Sequence, residues 1–243
     1  MQAKLALLTE WIINYFLLLW IENTLMDTSI IPLEKRFRGY LPVVIDIETA
    51  GFNAKKNALL EIAAVIVELN SDCELHITEH YTTHVIPFKN SELDEAALKF
   101  NGIDPYHPFR MAIDEKDALE MIFKPIRAAI KRNNCTKAIL VGHNPAFDIA
   151  FLNAAVHRTQ MKRNPFHPFS TFDTATLGGL AYQQTVLAKV AQAAGMEWDN
   201  EKAHSALYDA EKTAELFCKI VNRWKHLEAH EHTPSHNMQR ENL

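Results

Sequence analysis

Apolar and polar positions change period several times along the chain, and each change marks an element. Residues 42–49, Pro-Val-Val-Ile-Asp-Ile-Glu-Thr, are a β-branched run ending in two carboxylates, as in a buried strand that reaches a surface. After a Gly51-Phe52-Asn53 loop, 58–69 reads as a second apolar strand and 80–85 as a third, alternating one with Pro87 behind it. Three strands with no helix between them imply an antiparallel meander. The period then lengthens. Residues 93–100 have helical spacing and stop at Asn101-Gly102, a usual helix end. Residues 114–132 put Ala118, Leu119, Ile122, Ile126, Ala129 and Ile130 on one face, and Pro125 is expected to bend that helix. A short buried strand follows at 138–141, and Asn144-Pro145 then supplies a cap and a first-turn proline for another helix. Residues 171–174 read as a strand end. A last helix over 205–226 is expected to bury Leu207, Ala210, Ala214, Phe217, Val221 and Trp224.

Length and composition narrow this to one α/β domain. The 243 residues contain no repeat and no interior linker, and 48% are hydrophobic, enough for one sizeable core. The domain is expected over 31–227, with a non-core extension at 1–30 and a flexible, His-rich polar tail at 228–243. The extension holds an apolar run at 11–21. Eleven helical residues span about 17 Å of a roughly 30 Å hydrocarbon core, so no stable membrane partner is expected. Neither a basic start nor a small-residue cleavage site points to a signal peptide. Cys73, Cys135 and Cys218 lie far apart without metal or redox spacing, which fits a reducing, cytoplasmic setting. A net charge of −5 gives no global sign of nucleic-acid binding, so any such contact must come from local basic clusters or a bound metal.

Candidate chemistry starts at the first strand. Side chains alternate, so Asp46 and Glu48 project from one face and repel unless a cation sits between them or one is protonated. A hard, oxygen-seeking divalent ion such as Mg²⁺ is the natural occupant. Asp148 falls in the first turn of the helix after the 138–141 strand, where it also suits the helix dipole. His204 and Asp209 are five residues apart, about 140° around a helix. They can share a site only if His204 stands on the loop before the last helix. Asp173, between two threonines, either joins that site or supports its strand through hydrogen bonds.

Taken in order, Asp46-Ile-Glu48, His143-Asn-Pro-Ala-Phe-Asp148, Thr171-Phe-Asp-Thr174 and His204-Ser-Ala-Leu-Tyr-Asp209 resemble the histidine-bearing branch of the DEDD exonuclease superfamily. Asp46-Ile-Glu-Thr-Ala-Gly-Phe52, Phe100-Asn-Gly-Ile-Asp-Pro105 and Lys162-Arg-Asn-Pro-Phe-His-Pro-Phe169 bring the resemblance closer, to the ribonuclease T family, over roughly 36–227. The resemblance implies a ribonuclease H-like fold, a mixed five-stranded sheet flanked by helices. It also implies a metal-dependent 3′→5′ exoribonuclease that trims single-stranded 3′ ends of tRNA, rRNA precursors and single-stranded DNA to 5′-monophosphates. Asp46, Glu48, Asp148, Asp209 and His204 would then hold two Mg²⁺ ions, with Mn²⁺ able to substitute, and His204 would act as general base. Phe52, Phe100, Phe147 and Phe169 would stack on terminal bases, with Asp173 beside them. A family glutamate four residues before Phe100 is here Ala96, with Glu95 the nearest acid. Basic clusters at Lys35/Arg36/Arg38, Lys131/Arg132/Lys137 and Arg158/Lys162/Arg163 would bind phosphates. In that family such a patch serves the partner's active site, so a homodimer is implied, and the chain is expected to begin near Met26. Two rival readings are a proofreading exonuclease subunit of a DNA polymerase, which shares the carboxylates, and a catalytically silent RNA-binding module, which has no need of them.

Overall fold

The computed structural model describes residues 31–231. The chain divides after Pro32, and the architecture below belongs to the unit starting at Leu33. The expected features at 1–30 and from 232 onward lie outside the described residues.

One mixed sheet of five strands has the order β3-β2-β1-β4-β5. Its strands are β1 (Tyr40–Thr49), β2 (Leu59–Leu69), β3 (Leu75–His84), β4 (Lys137–Gly142) and β5 (Phe166–Asp173). β1 takes the centre because Leu41 through Ile45 are buried whichever way they point, which suits a strand covered on both faces. β1, β2 and β3 form the expected antiparallel meander, while β4 and β5 run parallel to β1. The helices are α1 (Glu95–Asn101), α2 (Glu115–Arg132), α3 (Ala146–Arg158), α4 (Thr174–Tyr182), α5 (Leu187–Ala193) and α6 (Ala206–Glu231). α6 packs along β1, β2 and β3, and the main core takes in Phe123, Phe151 and Phe217.

Several elements differ from the expectation. β3 begins at Leu75 rather than 80, because the Asn70 side chain accepts from the Asp72 and Glu74 amides and closes a tight turn that pairs Leu69 with Leu75. Asn144 is no helix cap: it is left-handed at φ 67°, its N–H donates to Asp173, and Pro145 takes the cap position instead. β5 is a full strand from Phe166, and Thr174 already opens α4. α4 and α5 were not legible as helices. Both are short, and Gly178 lets them approach so closely that a Cβ there would sit 2.8 Å from Val190. Trp224, expected in the core, is exposed, and α6 runs on to Glu231, into the segment read as tail.

Candidate active site

The carboxyl ends of the parallel strands β1, β4 and β5 meet at one edge of the sheet, the edge where open α/β sheets commonly bind ligands. β1 delivers Asp46 and Glu48 there on one face. α6 brings Asp209 in its first turn, and one carboxylate oxygen from each of the three lies within 4.8 Å of the others. Asp148 stands beside Asp46 but outside that group of three, buried in the first turn of α3. Gly142, the last residue of β4, allows this approach: a Cβ there would meet Pro145 Cβ at 3.0 Å and Asp148 Oδ2 at 3.5 Å.

His204 stands on the loop before α6, left-handed at φ 68° and exposed. Its backbone N–H donates to Asp209 Oδ2 at 3.2 Å, and its ring lies 4.4 Å from that of Phe100. The histidine thus reaches the carboxylates from a loop, as the five-residue spacing requires.

The electrostatics of the group call for a cation. Burial pushes the Asp46 carboxyl well above its ordinary range, and Asp148, Asp209, Glu48 and Glu61 add repulsion. Glu48 is raised to about 8 by burial and then by Asp209 and Glu61, with a hydrogen bond from Asn101 opposing them. Burial raises Asp148 to about 7, against backbone hydrogen bonds from its own amide and that of Ile47. Asp209 is also raised by burial, and its Oδ1 is buried with no hydrogen-bond partner among the described residues. A buried, unsatisfied acceptor within a knot of repelling oxygens fits a hard divalent ion.

Sequence reasoning missed Glu61. It is paired with Glu48 across β1 and β2, is buried, and adds its charge to the group, with the Arg110 guanidinium opposing. The signal was an acid inside the apolar run Leu59-Leu60-Glu61-Ile62.

The four phenylalanines divide. Phe52 (85% exposed), Phe100 and Phe169 present bare rings. Phe147 is half-buried, with Phe52 6.1 Å away on one side and the core residue Phe151 4.9 Å away on the other. Phe169 belongs to a different aromatic run on β5, against His167, which in turn faces Tyr40. The Phe52 loop is pinned from below. Asn57 bonds to Asn53 and Glu92, and Arg158 donates to the Ala54 carbonyl.

Asp173 caps α4. Burial raises it, but hydrogen bonds from the Thr176 hydroxyl and the amides of Asn144, Ala175 and Thr176 outweigh that and hold it below the usual range. It secures the β4–α3 junction that carries Asp148, and His143 braces the same junction through Thr174 and the Thr185 carbonyl.

The basic residues do not join the carboxylates. Tyr40 is paired with Lys137 at the far end of β1, six residues before Asp46, or about 20 Å at about 3.3 Å per residue. Arg36, Arg38, Lys131, Lys162 and Arg163 lie in the segments flanking that end. Two members of the expected clusters are engaged elsewhere. Arg132 pairs with Glu68 and Glu79, and Arg158 pairs with buried Glu115 while its guanidinium covers Phe88.

Residues 43–217 match the exonuclease family model. The chain is 57% identical over 203 residues to the ribonuclease T of Vibrio vulnificus strain YJ016, covering 83% of this chain and 94% of that protein. Its fold is similar to the nuclease domain of 3′hExo, a DEDDh family member bound to rAMP, at a TM-score of 0.60 and 20% identity over 75% of this chain and 92% of that one. It also resembles Escherichia coli exonuclease I in complex with a dT13 oligonucleotide, at a TM-score of 0.59 and 18% identity over 79% and 43%.

Proposed function

Because the chain belongs to the ribonuclease T family of exonucleases, we propose that it trims single-stranded 3′ ends of tRNA and rRNA precursors in the 3′→5′ direction, releasing nucleoside 5′-monophosphates. The observation carrying this reading is the convergence of Asp46, Glu48 and Asp209 within 4.8 Å, beside an exposed histidine. Two Mg²⁺ ions, or Mn²⁺ in their place, would supply an activated water and neutralise the charge that develops on the leaving 3′-oxygen. Asp46, Glu48 and Asp209 would hold the cations, with Asp148, buried beside Asp46, completing the acid set. An imidazole nitrogen of His204 takes the proton of the attacking water, and its place on a loop lets the ring close on a bound strand.

The bare rings of Phe52 and Phe100 support a single-stranded tail as substrate, since stacking accepts any base but needs it unpaired. The basic residues sit at the far end of β1 from the carboxylates, where they would hold the phosphates of a tail some nucleotides upstream of its 3′ end, and in a homodimer of the kind the family has they would serve the partner's site. Three unpaired cysteines support a cytoplasmic setting. Residues 1–30 act as an extension outside the exonuclease domain.

The test is a duplex with a 3′ tail and Mg²⁺, with products resolved nucleotide by nucleotide. Stepwise loss of 5′-monophosphates that stops near the duplex is the expected result. His204→Ala lowers turnover by at least about a hundredfold while tail binding survives. Near wild-type turnover in that variant would refute the mechanism.

A further inference from the structure

His204 stands at the end of the loop between α5 and α6. Buried Met196 and half-buried Trp198 hold the start of that loop in the small core around Val190 and Leu216. Beyond them the chain turns on itself. Asp199 Oδ1 accepts from the Glu201 amide at 2.9 Å, and the Asp199 carbonyl accepts from the Lys202 amide at 3.3 Å. Two bonds tie this turn to α6: the His204 N–H donates to Asp209 Oδ2 at 3.2 Å, and the Asp199 N–H donates to the Tyr208 hydroxyl at 2.6 Å. Tyr208 is half-buried, with its ring 5.4 Å from that of Trp198 and Lys212 Nζ 5.7 Å from the ring centre, so the hydroxyl is held in place.

The two ties differ in what else they must do. The Asp209 carboxylate belongs to the candidate metal centre and is shared between the His204 amide and a cation, whereas Tyr208 stands outside that group. The His204 ring is exposed and leans on Phe100, itself an exposed ring, so its position follows from that of its backbone. We propose that Tyr208 is a positioning residue for phosphodiester cleavage: its hydroxyl straps the loop to α6 at Asp199 and so sets how often the His204 imidazole faces the carboxylates. This rests on reading His204 as the general base. A base must come within about 2.6–3.2 Å of the atom whose proton it takes, and an error of about 1 Å can cost about a hundredfold in rate. A loop freed at Asp199 is still seated through Met196 and Trp198, but its ring spends less time in reach of the water.

The test is Tyr208→Phe in the full-length protein, which removes the hydroxyl and keeps the ring against Trp198. Its Tm is expected within about 4 °C of wild type, since one neutral hydrogen bond is lost. On a duplex with a single-stranded 3′ tail and Mg²⁺, kcat is expected to fall about tenfold with KM within about twofold. Added to His204→Ala, the same substitution is expected to change kcat by less than about twofold, because the loop then carries no base to position. Hydrogen exchange followed by mass spectrometry is expected to quicken at 199–204 and to stay as in wild type across the sheet. Unchanged kcat in Tyr208→Phe, or unchanged exchange at 199–204, overturns the proposal. So does a further loss of about tenfold on top of His204→Ala, which would mean that the hydroxyl acts on the carboxylates and not through the histidine. Faster exchange throughout the chain with a large fall in Tm overturns it as well, and makes Tyr208 a packing residue. Failure of the underlying reading looks different: His204→Ala itself would keep near wild-type turnover while exchange at 199–204 still quickens in Tyr208→Phe.

Discussion

Phe52→Ala separates substrate stacking from core packing. Phe52 is 85% exposed on its loop, so the covered part is about 30 Å² of a phenylalanine's roughly 200 Å². At about 25 cal/mol per Å² the stability lost is about 0.8 kcal/mol at most, a fall of about 2–3 °C in Tm for a domain of this size. Losing one base stack costs about 1–3 kcal/mol of tail affinity, about 5–150-fold. Phe147 must behave otherwise. It rests on buried Phe151, so Phe147→Ala opens space at the core edge and costs about 2 kcal/mol or more of stability in addition to any loss of binding. The assay pairs a melting curve with two rates, one on a duplex carrying a single-stranded 3′ tail and one on a small phosphodiester without a base. For Phe52→Ala, near-normal melting, weak trimming and an unchanged rate on the small substrate are expected. A Tm drop of about 8 °C or more with equal loss on both substrates would refute the exposed-platform reasoning. Unchanged trimming would refute the stacking role.

Metal and pH are linked through the raised carboxylates. Glu48, held up to about 8, and Asp148, held up to about 7, keep protons that the unfolded chain releases in the ordinary carboxylate range. Metal-free stability therefore falls as pH rises from that range through about 8. In EDTA the Tm should drop between about pH 5.5 and about pH 8.5, and Mg²⁺ should raise it more at the higher pH; a metal-free Tm that climbs with pH contradicts this. Arg158→Ala strands the buried Glu115 carboxylate and releases the Ala54 carbonyl, at a cost of about 3–5 kcal/mol. The double variant Arg158→Met/Glu115→Leu should recover most of that on the melting curve, and no recovery would mean that the pair is not what is lost. A protein starting at Met26 should melt and trim as the full chain does; loss of either would make 1–25 part of the fold.

Much of the meander was legible because each strand's pattern is local: β1 and β2 are apolar runs, and alternation alone put Asp46 and Glu48 on one face. The five-residue spacing likewise required His204 to stand on a loop before α6. Where local chemistry was ambiguous, tertiary packing decided. Asn144-Pro145 carries the usual cap signal, yet the Asp173 carboxylate draws the Asn144 amide and leaves that residue left-handed. Trp224 fits the apolar stripe of α6, yet it is exposed, and Asn222 and Lys225 on either side of it are the residues that bond to the β2–β3 turn and the start of β3. Arg158 was expected in a phosphate-binding cluster with Lys162 and Arg163, but Glu115 of α2 takes its guanidinium instead. No periodicity could say that Asp209, 161 residues beyond Glu48, comes within 4.8 Å of it, or that the basic patch falls at the far end of β1. A sequence pattern fixes which face a side chain takes on its own element. The distance between elements is set by how their faces pack, and that distance makes a group of acids a candidate metal centre.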